Sequence, residues 1–205
     1  MDVFPVCLLG NSVRLEALSL SHHSQLCAVG LDQALWELTV TQVRSTEDML
    51  GYIRETLELQ EKGTALPFAI VEKGTGSVVG STRFGNIDRR NRRVEIGWTW
   101  VAKRWQRTAV NTEAKYLLLA HAFEGLGCIR VEFKTDVLNL PSRNALVRIG
   151  AREEGTLRKH MVTDSGRVRD SVYYSIVETE WQSVKAKLEQ FLLSEKKKTK
   201  EPEKP

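Results

Sequence analysis

Cysteine is scarce. Cys7, Cys27 and Cys128 are scattered through 205 residues and are odd in number. No Cys-x-x-Cys pair occurs, so neither a zinc site nor a disulfide framework is indicated, and a reducing cytoplasm is the natural compartment. No apolar run approaches the roughly 18 residues that span a bilayer, so no membrane partner is expected. The first residues, Met1-Asp2-Val3-Phe4-Pro5, are acidic rather than basic and lack a signal-peptide pattern. Internal repeats are missing. The two adjacent histidines, His22 and His23, point in different directions on a helix and cannot form an i, i+4 metal pair; no metal is expected. The net charge is only +4, and much of it lies in the lysine-rich run 196–205. Without that run the body is close to neutral, and no aromatic residue interleaves with the lysines, so a nucleic-acid partner is not expected.

What is present suits one soluble domain with a sizeable core: hydrophobic content is 41% and charged content 27%. We draw the domain over 1–193 and a solvated, disordered Lys/Glu/Pro-rich tail over 194–205. Alternation predicts strands over 13–18, 66–72, 78–84, 94–101, 129–135, 154–162 and 171–177. Helices are predicted over 22–29, over 45–61 behind a Ser45/Asp48 cap, from Asn111 to a stop near Gly125-Leu126-Gly127, from Asn139 through Ile149 with Pro141 in the first turn, and from Thr179 onward. Strands and helices in this order make a mixed α/β domain.

The stretch 94–114 organises the chain. Val94-Glu95-Ile96-Gly97-Trp98-Thr99-Trp100-Val101 reads as a buried strand. A loop follows, and then a helix on which Ala114, Leu117, Leu118, His121 and Ala122 recur at helical spacing. A loop whose N–H groups run into a helix N-terminus favours an anion, because those donors have no intrahelical partner and the macrodipole is positive there. A phosphate-bearing ligand is therefore expected at this junction.

The order of elements, the loop Gln106-Arg107-Thr108-Ala109-Val110-Asn111, and Asn139-Leu140-Pro141-Ser142-Arg143-Asn144-Ala145 followed by Ile149-Gly150-Ala151 resemble the Gcn5-related N-acetyltransferases, nearest their RimJ/RimL-like branch. Asn139, Ser142 and Gly150 fit that branch's Asn-x-x-Ser signature, with a small shift at the glycine. The Glu-Ile-Gly-Trp strand and Gly155-Thr156-Leu157-Arg158 also look like it. The resemblance covers about 10–193. It implies a central mixed, mostly antiparallel sheet splayed in its middle and flanked by helices. It also implies transfer of an acetyl group from acetyl-CoA to a primary amine, by direct attack in a ternary complex. The acceptor would be a peptide N-terminus or a small amine. The family's loop reads Gln/Arg-x-x-Gly-x-Gly/Ala. Here Ala109 and Asn111 replace its small residues, which motivates a second reading, a non-catalytic acyl-CoA-binding or regulatory protein.

The resemblance assigns CoA contacts to Trp100, Val101, Gln106, Arg107, Thr108, Ala109, Val110, Asn111, Thr112, Asn139 and Ser142. The chemistry needs a base for the amine, a donor for the thioester oxygen and an acid for the leaving thiolate. Glu95 is the leading base, unless it pairs with a nearby arginine; Glu132 and Glu72 are weaker. Ser142 is the leading acid, unless it only caps its helix. Tyr173 and Tyr174 are alternatives, and only one can face the site. Trp36, Trp98, His160 and Tyr173 are candidate walls of the acceptor pocket. An exposed apolar patch near the last strand or final helix would permit a homodimer.

Overall fold

The structure, a computed structural model, describes the backbone of residues 1–200 and the side chains of residues 1–196. Eight strands form one sheet among these residues: β1 (Leu8–Leu9), β2 (Val13–Ala17), β3 (Leu66–Glu72), β4 (Val78–Asp88), β5 (Arg93–Val101), β6 (Arg130–Asp136), β7 (Arg152–Val162) and β8 (Val168–Val177). Their spatial order is β1-β2-β3-β4-β5-β6-β8-β7. All neighbours are antiparallel except β5 and β6. Five α-helices accompany the sheet: α1 (His23–Gly30), α2 (Thr46–Glu61), α3 (Ala109–Ala120), α4 (Leu140–Arg148) and α5 (Glu178–Lys200).

Each face of the sheet buries its own core. On one face Phe84, Val94, Ile96, Val131, Phe133 and Ile176 pack against Ala114 and Leu118 of α3, Leu146 of α4, and Trp181, Val184 and Leu188 of α5. On the other, Ala69, Val71, Val78 and Trp100 meet Leu26 of α1, Met49 and Ile53 of α2, and Trp36. A fully buried Leu, Ile or Phe side chain contributes roughly 1.5–3 kcal/mol, so these two layers, rather than surface ion pairs, hold the helices on the sheet.

Local chemistry fixes the helix starts. Ser45 Oγ accepts from Asp48 N–H at 3.1 Å, and Asp48 Oδ2 accepts from Ser45 N–H at 3.0 Å, closing the capping box at α2. Asn139 Oδ1 accepts from Ser142 N–H at 3.0 Å and caps α4. α3 begins at Ala109, ahead of the start predicted at Asn111, because Thr108 is its N-cap and its hydroxyl accepts from Val110 N–H at 3.3 Å. β4 runs on to Asp88, past the end predicted at Phe84.

A second device ties α3 to the N-terminal hairpin. Glu113 is buried, and its carboxylate accepts from the N–H groups of Asn11, Ser12 and Val13 at 2.8, 2.6 and 2.8 Å. β7, at one edge of the sheet, is broken by register shifts between Glu153 and Gly155 and between Leu157 and Met161, with Lys159 at φ +50°. α5 continues through Lys200, past the boundary drawn at 193. Residues 201–205 of the tail expected to be disordered lie outside the described residues.

Candidate active site

The site begins where β5 and β6 part. They pair in parallel only over Arg93, Val94 and Glu95 against Arg130, Val131 and Glu132. Beyond that point β5 stays with β4 and β6 with β8, so a gap opens between the strands and the edge of β5 that faces it carries unpaired backbone groups. β5 is also bulged there. Gly97 pairs with Arg83 and Trp100 with Ser81, leaving Trp98 at φ +48°. A bulky residue in the left-handed region is a genuine outlier of the kind that collects at functional sites. Gly85 makes room for it, since a Cβ at that position would lie 2.4 Å from the Trp98 ring.

Register places Glu95, Arg83, Lys134 and Tyr173 on one face beside the gap, through the pairs Gly85–Glu95, Arg83–Gly97, Glu95–Glu132 and Lys134–Tyr173. Glu95 is only 3% exposed. Its Oε2 accepts from Asn86 Nδ2 at 2.7 Å and lies 3.4 Å from Lys134 Nζ. The partners of this carboxylate are thus an amide and a lysine, not an arginine. Lys134 Nζ stands 5.6 Å from the centre of the Tyr173 ring, and His160 meets that ring edge-on at 5.7 Å. Burial holds the His160 imidazole below its ordinary value, with Lys134 and Arg169 adding to the effect and Glu95 opposing it. Tyr174 turns to the opposite core, where its hydroxyl donates to Glu153 at 2.9 Å.

Behind the bulge lies a group that sequence reasoning missed. Lys115 of α3 is buried, and its Nζ donates to Thr99 Oγ1 at 2.7 Å, which in turn is 2.7 Å from Thr82 Oγ1. Burial pushes Lys115 down to about 7. The signal was present: Lys115 falls at helical spacing with Leu118, Leu119 and Ala122, inside the stripe that is buried.

The gap runs toward the N-terminus of α3. Gln106 Nε2 donates to the Val101 carbonyl at 2.9 Å and closes the loop. Arg107 is the left-handed residue here, at φ +60°. Ala109 and Asn111 lie inside α3, where backbone is right-handed and glycine is not required. Val110 and Thr112 turn inward, and Thr112 Oγ1 accepts from Arg148 at 2.8 Å. Asn139 serves as the cap of α4, which leaves the Ser142 hydroxyl with no hydrogen bond among the described residues. Trp36 and Trp100 are 2% and 5% exposed and pack on one another at 5.4 Å in the second core. Trp36 Nε1 donates to the Gly30 carbonyl at 2.7 Å. Trp36 is therefore a core side chain. Of the tryptophans offered as walls, Trp98 is the one beside the gap.

A sheet that parts at a bulge and points a helix N-terminus at the opening is a recognisable arrangement, and residues 12–152 match the Acetyltransferase (GNAT) domain. The chain belongs to the GNAT family. Among solved structures, a GCN5-related N-acetyltransferase from Brucella melitensis superposes with a TM-score of 0.85 at 29% identity, over 93% of this chain and 86% of that one. RimJ of Mycobacterium smegmatis, in complex with CoA-disulfide, gives a TM-score of 0.76 at 25% identity over 92% and 93%. YdaF of Bacillus subtilis (strain 168), provisionally named a ribosomal N-acetyltransferase, is 38% identical over 110 residues, which are 54% of this chain and 59% of YdaF. The chain thus spans under two thirds of that relative. These GNAT relatives put it on the RimJ/RimL-like side of the family. Among the described residues no cluster of His, Cys, Asp and Glu could hold a metal ion, and no helix is long and apolar enough to cross a membrane.

Proposed function

We propose that the protein is an acetyl-CoA-dependent N-acetyltransferase acting on a primary amine, a peptide N-terminus or a small molecule, by direct attack in a ternary complex. The parting of β5 and β6 beside a buried carboxylate carries the reading. Acetyl-CoA supplies the activated acetyl group. The chain's residues fit it: the exposed edge of β5 offers N–H groups around Trp100 and Val101, and the N-terminus of α3, from Thr108 to Asn111, offers unpaired donors and a favourable dipole to phosphate. Asn139 and Ser142 stand at the start of α4 on the far side of the gap.

In this reading Glu95 takes the proton of the acceptor ammonium, directly or through water, and Asn86 orients the carboxylate. Backbone N–H groups of the bulged strand stabilise the charge that develops on the thioester oxygen. Ser142 donates to the departing sulfur. The replacements at Ala109 and Asn111, which motivate the non-catalytic alternative, fall on helical backbone that needs no glycine, and this supports the catalytic reading. The free thiols fit a reducing cytoplasm. Calorimetric titration with acetyl-CoA, paired with a CoA-release assay over peptides and small amines, tests the proposal. Binding with turnover is expected. Absence of CoA binding sinks it, and binding without turnover on any amine leaves only the binder.

A further inference from the structure

Charges on the acceptor side of the gap do not balance. Lys134 is matched by Glu95, and Arg167 by Asp136. Among the described residues Arg83 has no ion-pair carboxylate, and Arg169 reaches only Asp136, which Arg167 already holds. Arg83 is 6% exposed. Its guanidinium lies 3.8 Å from the centre of the Trp98 ring, Nη1 donates to Thr56 Oγ1 at 2.9 Å, and Nε is buried without a hydrogen-bond partner among the described residues. Arg169 is 5% exposed and shares Asp136 with Arg167 at the long distance of 4.0 Å; its Nε is likewise unpartnered. Both cations feel the charge of Glu95 across the site, and among the described residues the only other carboxylate acting on Arg83, Glu55, is exposed on α2.

A buried guanidinium is expensive to keep without a counter-ion, and a planar fork held 3.8 Å from the centre of an aromatic ring is preorganised for a carboxylate. We infer that the acceptor brings a carboxylate of its own, received by Arg83 beside Trp98 while the amine faces Glu95. The inference rests on the N-acetyltransferase reading and narrows it to acidic acceptors. The carboxylate could be the α-carboxylate of an amino acid or an acidic side chain close to a peptide N-terminus; both present the same chemistry.

The test is a CoA-release assay on the full chain with matched acceptors. One arm compares alanine with alaninamide. The other compares peptides starting Ser-Asp with peptides starting Ser-Asn. The expected result is a kcat/KM at least tenfold higher for the carboxylate member in one of the arms, which also identifies the source. In Arg83→Met that ratio should fall toward one, through a rise in KM rather than a loss of kcat. Arg83→Lys, which keeps the charge but loses the fork, provides a lowered ratio as the same readout if Arg83→Met does not fold. Turnover in which the neutral member of each pair is used as well or better overturns the inference and leaves the acetyltransferase reading standing. No turnover on any acceptor, in a protein that binds acetyl-CoA, overturns both.

Discussion

At the scale of single residues, the site depends on buried polar groups that sequence patterns do not separate from surface ones. Glu95→Gln removes the proposed base but keeps a side chain of the same shape for Asn86 to meet. kcat should fall by about 10²–10⁴-fold with acetyl-CoA affinity unchanged by calorimetry; an undiminished kcat would remove Glu95 from the mechanism. Lys115 gives a test that needs no substrate. Its folded value of about 7 lies below the ordinary lysine value, so between the two the unfolded chain binds a proton that the folded chain does not. Stability should therefore be lowest below pH 7 and rise with pH through that window, by about 2–3 kcal/mol between pH 7 and 9. Urea midpoints across this range should show the slope, and Lys115→Met should lose it. Glu95, Tyr173 and His160 were legible as strand residues, and family resemblance alone gave them roles. Arg83 and Arg169 were not, because a charged residue in a strand reads as solvent-facing until long-range packing covers it; for Lys115 only the spacing with Leu118 and Ala122 hinted at burial. Trp36 shows the converse: composition cannot tell a core aromatic from the wall of a pocket.

At the scale of elements, α3 carries the design. Its N-terminus meets the gap, Lys115 braces the bulged strand, and Glu113 binds the N-terminal hairpin. Glu113→Ala leaves three N–H groups without their acceptor and should cost about 3 kcal/mol in chemical denaturation; a change under 0.5 kcal/mol would show that water replaces the carboxylate. Ala109→Gly tests the loop. Because Ala109 is already helical, glycine brings no relief there. CoA affinity should stay the same, while stability drops by about 0.5–1 kcal/mol. Tighter CoA binding would mean that the methyl crowds the ligand after all. Strands and helices with clear periodicity were readable from the sequence. The start of α3 was not, because a threonine cap set it two residues ahead of the first helical repeat. The two-residue β1 was too short to leave any pattern.

At the scale of the whole molecule, the sheet is two antiparallel halves joined by a short parallel seam. The splay itself could be expected only through family resemblance, since it is a relation between residues 37 positions apart and leaves no local mark. Acetyl-CoA should bridge the halves. At a hundredfold excess over Kd it should stabilise the fold by about 2.7 kcal/mol, and amide exchange should slow along 96–101 of β5. An unchanged melting temperature at that excess would argue against binding between the halves. The broken register of β7 has a further effect. The shift between Leu157 and Met161 that brings His160 against Tyr173 also ruins the outer edge of the strand as a template. At the other end of the sheet β1 is too short to recruit a partner. The distortion beside the proposed acceptor site thus also disfavours strand-to-strand pairing between copies of the chain, so that straightening β7 would be expected to cost solubility along with activity.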